Sequence, residues 1–127
     1  MSPSSPRRPL DQFPYRRDSR SRLIGSDLTD GSYVYVRDEQ GQIFVLPDGS
    51  HRHPRVLGGG AAALYAGDMR IEAGAVTELT NLSGTFQFDD ADGLREVAAE
   101  IRAAGLAIEP GKVRLFPNNG ARPIILE

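Results

Sequence analysis

Between residues 58 and 93 the chain reads GGGAAALYAGDMRIEAGAVTELTNLSGTFQFDDADG, with a glycine wherever a short apolar run ends. Glycine adopts the positive backbone angles that close reversals demand, so this punctuation confines the region to short strands joined by tight turns. The pattern speaks of architecture rather than chemistry. Nowhere does a catalytic triad, a metal-ligand set, a phosphate loop or a nucleic-acid motif stand at the spacing its chemistry requires.

Tyr33-Val34-Tyr35-Val36 and Ile43-Phe44-Val45-Leu46 are β-branched and aromatic and flank an Asp38-Glu39-Gln40-Gly41 reversal, which predicts a first hairpin. Pro47-Asp48-Gly49 then opens a polar loop in which no period can be followed. Beyond the glycines at 58–60, the run from Ala62 to Ala66 leads to Met69-Arg70-Ile71-Glu72, and Ala73-Gly74 separates this from Ala75 to Thr80 as a second hairpin. Thr85-Phe86-Gln87-Phe88 alternates, which predicts a strand with both phenylalanines on its core face. Asp89, Asp90 and Asp92 supply capping carboxylates to a helix on which Leu94, Val97, Ala98, Ile101 and Ala104 share one face, and Gly105 stops it. Val113 to Phe116 and Pro123 to Leu126, joined through Asn118-Asn119-Gly120, predict a last hairpin, with Ile124, Ile125 and Leu126 adding buried aliphatic surface. The fold class that follows is α+β: an antiparallel β-meander or roll of about six to eight short strands with one α-helix packed on a sheet face.

A chain of 127 residues suits one domain, and the hydrophobic share of 39% is depressed mainly by the first thirty residues. Residues 1–30, rich in Ser, Pro and Arg, read as a mobile basic arm, and 31–127 as a single α+β domain. Residues 1–22 carry six arginines against Asp11 and Asp18, net +4, while residues 23–127 carry nine basic and fifteen acidic side chains, net −6. The absence of cysteine excludes disulfides, zinc-thiolate sites and thiol catalysis. No apolar run approaches the roughly 20 residues that span a bilayer, and the arginine-rich start lacks an apolar stretch after it, so a cytoplasmic location without membrane contact is expected. Fourteen arginines against one lysine, with abundant alanine and glycine, match the codon bias of a GC-rich genome and point to a bacterial source.

The order of elements from Tyr33 to about Leu115 resembles a domain found in the C-terminal part of plant IQ-motif calmodulin-binding proteins and in scattered bacterial, sometimes toxin-associated, proteins. The matching pieces are the pair YVYVRDEQGQIFVL, His53 in a loop, an Ala66-Gly67 turn, Gly74 inside an extended segment, and Ser83-Gly84-Thr85-Phe86 before the helix. The resemblance implies the same β-rich fold. Thr85 and Phe86 stand where that pattern has histidine and tyrosine, and the IQ motif is absent, so neither a reaction nor calmodulin binding carries over.

The residues with chemical potential each have a plainer reading. His51 and His53 form an H-x-H pair without further ligands in sequence, and no metal is expected. Ser83, His53 and Asp68 supply the residue types of a hydrolase without a Gly-x-Ser-x-Gly elbow. The glycines at 58–60 lack the Lys-Ser/Thr ending of a phosphate loop, and Asp89, Asp90 and Asp92 are explained by helix capping. No cofactor is expected. The leading functional expectation is a non-enzymatic binding module, an accessory or cargo component of an effector system, that engages a protein partner through Arg7, Arg8, Phe13, Tyr15, Arg16, Arg17, Arg20 and Arg22; nucleic acid is not favoured. One alternative is a toxin-like enzyme acting on a nucleotide such as NAD through His53, Tyr65, Ser83 and Thr85. Another is a structural subunit that assembles through the edge segment Ile124 to Leu126. Oligomeric state stays open.

Overall fold

A computed structural model describes residues 6–10, 15–49 and 52–127, Arg52 by its backbone alone. Along the chain run β1 (Arg22–Leu23), β2 (Gly31–Asp38), β3 (Ile43–Pro47), α1 (Arg52–Leu57), β4 (Ala63–Glu72), β5 (Ala75–Thr80), α2 (Ala91–Ala103), β6 (Ala107–Ile108), β7 (Val113–Leu115) and β8 (Ile124–Ile125). The strands form one open sheet in the order β1-β3-β2-β4-β5-β7-β8, with β6 also on β5. The class is α+β, and α2 lies against one sheet face, touching β3, β4, β6 and β7.

From β2 to β5 the strands are antiparallel, as the turn residues require. Asp38 Oδ1 accepts from the Gln40 and Gln42 amides at 3.0 and 2.9 Å, and Gly41 takes φ 85°, which closes the first hairpin. Ala73 and Gly74, at φ 52° and 78°, close the second, and Asp30 receives both of their amides. The sheet then turns mixed. Residues 91–103 form the crossover helix α2, so β6 and β7 return parallel to β5, with Leu79 opposite Val113 and Thr80 opposite Arg114.

Four consecutive residues of β2, Tyr33 to Val36, are buried, so both faces of the central strand are covered. Alternation puts Tyr33, Tyr35 and Arg37 on the face that carries α2, where Arg37 Nη1 meets Glu96 Oε1 at 2.8 Å. Val34 and Val36 face the other way, and Asp68, paired with Val34 in the ladder, shares that second face. α2 is capped by Asp90, whose carboxylate accepts from the Gly93 amide at 2.8 Å, and it buries Leu94, Val97, Ala98 and Ile101. Each of the three larger side chains contributes about 1.5–3 kcal/mol by leaving water.

Four expectations need correction. The loop after Pro47 contains the short helix α1: Pro54 sits in its first turn, where proline is tolerated, Val56 is fully buried, and Gly58 at φ 76° ends it. Ala66-Gly67 is not a turn but the middle of β4, opposite Val36 and Tyr35. Glycine is required there because an added Cβ would lie 1.9 Å from the Thr80 carbonyl oxygen, the atom that receives the Tyr35 hydroxyl at 2.7 Å. Residues 85–88 form no strand, since Gln87 takes φ 50°, yet Phe86 and Phe88 are buried and stack at 6.4 Å. Ile124 and Ile125 are largely exposed, and only Leu126 is half-buried.

Candidate functional site

A cleft of about 500 Å3 opens where the end of β3, helix α1 and β4 face the segment between β5 and α2 and the turn after β7. One wall carries Asp48, His53 and Asp68. Asp48 follows β3 in the Pro-Asp-Gly turn, where its carboxylate accepts the Gly49 amide at 2.7 Å. His53 is presented by α1 and Asp68 by the mid-strand position of β4. The other wall is built from Asn81 to Gly84, Gln87 and Phe116 to Asn118.

The second wall is tied together by side-chain amides. Asn81, buried, donates from Nδ2 to the carbonyls of Phe88 and Phe116 at 2.7 and 2.8 Å, and its Oδ1 accepts the Phe116 amide at 2.7 Å. Asn118 donates from Nδ2 to the Gln87 carbonyl at 2.7 Å. Ser83 Oγ accepts the Phe86 amide at 3.2 Å, which shapes the turn. Gln87 sits in the left-handed region at φ 50°, a backbone state that disfavours side chains and persists only where surroundings enforce it.

The electrostatics of the first wall are one-sided. His53 Nε2 lies 2.8 Å from the Gly67 carbonyl oxygen, and since a carbonyl only accepts, Nε2 carries the proton. Burial lowers the His53 pKa, opposed by that bond, so the ring is neutral at pH 7. Its 3.8 Å approach to Asp68 Oδ1 is therefore a polar contact and not an ion pair. Burial, and then the charge of Asp48, push the Asp68 carboxyl up to about 6. No arginine or lysine lines the cleft among the residues whose side chains are described, which begin again at His53. Near pH 6 the cleft exchanges a proton at Asp68, which faces Asp48 with no cationic side chain among the described ones.

Of the four enzyme candidates, the structure brings two together. His53 and Ser83 share the cleft with Asp68, where Ser83 Oγ accepts the Phe86 amide and His53 Nε2 donates to the Gly67 carbonyl. Tyr65 lies beneath α2, stacked on Phe88 at 5.2 Å, with its hydroxyl donated to the Asp90 carbonyl at 2.9 Å. Thr85 is outside the lining. Among the described residues no three metal-ligating side chains converge; His51 lies outside them. No helix of the described residues is long and apolar enough to cross a membrane.

Five of the arm's six arginines, all at the surface, make contacts within the chain. Arg7 stacks over Phe88 at 4.8 Å and bonds the Gln87 carbonyl; Arg8 bonds the Gly60 carbonyl; Arg17 stacks over Phe44 at 4.7 Å. Arg20 pairs with Asp18, Arg22 with Asp27, and Tyr15 lies under Arg55. Arg16 is exposed, and Phe13 lies outside the described residues. The sequence alone does not single out Asp48, Gln87 or Asn118 as site residues, and it offers Asp68 only as part of a hydrolase residue set. The available signal was Asp68, a carboxylate inside a strand-forming run where acidic residues are depleted.

Against this geometry, no family model, no curated protein and no solved structure matches the chain.

Proposed function

We propose that the chain is a protein-binding module whose cleft receives a basic side chain of its partner. The observation that carries this reading is the pair Asp48 and Asp68 in a cleft with no lining arginine or lysine among the described side chains. A carboxylate held partly out of water with no cation beside it gains most when a ligand supplies one. The acidic body, net −6 over residues 23–127, favours the approach of a basic segment over distance. The same charge argues against NAD, whose pyrophosphate would face both carboxylates. It also favours the body over the arm for the partner-binding role, since Arg7, Arg8, Arg17, Arg20 and Arg22 already make contacts within the chain.

The edge-assembly alternative is weaker for a local reason. The Leu126 amide bonds the Val113 carbonyl, so alternate residues of β8 turn outward and place Pro123, which has no N–H, on the free edge.

The test is fluorescence anisotropy with a labelled heptapeptide alternating glycine and arginine, beside its glutamate counterpart. Binding in the range of about 100 μM is expected for the arginine peptide alone. Asp68→Asn and Asp48→Asn should each weaken it about tenfold, and wild-type affinity should rise with pH through about 6 as Asp68 ionises. Equal binding of both peptides, or indifference to both substitutions, would sink the reading.

A further inference from the structure

The cleft has two walls that belong to different parts of the chain, and the arm touches both. On the α1 side the Asp18 amide bonds the Arg55 carbonyl at 2.9 Å, Ser21 Oγ bonds the Val56 carbonyl at 2.6 Å, and the Gly59 amide bonds the Tyr15 carbonyl at 2.8 Å. The arm backbone crosses α1 so closely that a Cβ on Gly58 would lie 2.4 Å from the Arg17 nitrogen. Arg7 exchanges backbone bonds with Ala63 of β4 at 2.8 and 2.7 Å, and on the other side the Leu10 amide bonds the Thr85 carbonyl at 2.8 Å. Arg7 Nη1 reaches the Gln87 carbonyl at 2.9 Å.

That last contact falls on the one lining residue whose backbone is strained. The Gln87 carbonyl receives Arg7 Nη1 and Asn118 Nδ2, one cation and one amide. Its own amide reaches the Ser83 carbonyl at 3.2 Å. A left-handed backbone at a non-glycine residue is held by such partners or it relaxes. Arg7 is one of two side chains that hold Gln87, and it comes from the opposite end of the chain.

We infer that residues 7–10 and 15–21 of the arm are an internal strap which fixes both walls of the cleft, with Arg7 as a positioning residue for Gln87, so that seating of these segments and occupation of the cleft are coupled. This rests on the reading of the cleft as the binding site. A strap that favours the ligand-ready arrangement strengthens ligand binding, and by reciprocity a bound ligand tightens the strap. Arg7 thus serves the site without touching its ligand.

The test uses the full chain as wild type, Arg7→Gln and Leu10→Pro. The second variant deletes the amide that bonds Thr85 while altering an exposed side chain. Amide hydrogen exchange is measured without ligand, and anisotropy with the arginine heptapeptide. Both variants are expected to speed exchange at the Phe86 and Gln87 amides, leave the Tyr35 and Leu79 amides unchanged, and weaken peptide binding by about fivefold or more. Faster exchange at Phe86 and Gln87 with unaltered affinity overturns the coupling, and unaltered exchange in both variants overturns the strap. If wild type shows the exchange contrast against both variants but binds no peptide, the strap stands and the basic-ligand reading of the cleft fails.

Discussion

Asp68 shows how one side chain registers a site. Its carboxyl, ordinarily near 3.8, is raised to about 6 by burial and by Asp48, so the folded chain holds that proton more tightly than the unfolded one. Its contribution to stability is therefore fully present below the unfolded value and is lost as pH rises through about 6. The rise from 3.8 to about 6 sets a ceiling of about 3 kcal/mol. Solvent screening reduces this to about 1 kcal/mol, because the side chain is 40% exposed. Asp68→Asn is expected to stabilise the protein by about that amount at pH 7.5 and to leave it unchanged at pH 4, measured by urea denaturation at both pH values. His53 runs the opposite way: its lowered pKa makes its contribution present above its ordinary value of 6.5 and lost as pH falls below it. A residue whose replacement raises stability while weakening peptide binding is retained for something other than folding.

At the scale of elements, β4 carries the sheet and also much of what sequence reading missed. The hairpin turns at 38–41 and 73–74 and the helix at 91–103 were legible, because each is written in residues whose preferences are local: Asp and Gly at reversals, a capping aspartate, an apolar face at helical spacing. Gly67 was not, since the same residue serves turns and close approaches, and only the neighbouring strands decide which. Here the decision belongs to Tyr35, whose hydroxyl passes over Gly67 to the Thr80 carbonyl. Gly67→Ala is expected to cost about 3 kcal/mol through overpacking, read as a lower denaturation midpoint with the slope unchanged. A loss below about 1 kcal/mol would show that β4 and β5 part easily. The parallel return of β7 was likewise hidden, because pairing direction follows from the crossover and not from the strand's own residues. The cleft is legible only in its parts: His53, Asp68 and Ser83 stand out as residue types, while their meeting depends on α1, a helix of six residues without a visible period.

For the whole molecule, the arm changes what its composition implies. Ser, Pro and Arg without an apolar period describe a segment that cannot fold alone, and this one is seated by the body's aromatic faces and carbonyls instead. Phe44, Tyr15 and Phe88 each carry a guanidinium within 5 Å of the ring centre, so cationic side chains here do work that apolar ones do in a core. The net charges of +4 and −6 that mark the two parts in sequence thus belong to one folded body in the described residues.

The strap also has a place in time. Arg7 and Gln87 are 80 residues apart, so the contact between them closes a long loop and is formed late, after local hairpins and the crossover are in place. Arg7→Gln should accordingly speed unfolding and leave the refolding rate unaltered, which stopped-flow chevrons resolve; a slowed refolding limb would place the arm in the folding nucleus instead. During synthesis residues 7–10 emerge well before Ala63, Thr85 and Gln87, which seat them. The cleft is then finished only once Asn118 has been made, and a chain that stops short of it presents the arginines of the arm to solvent but has no assembled cleft to offer a partner.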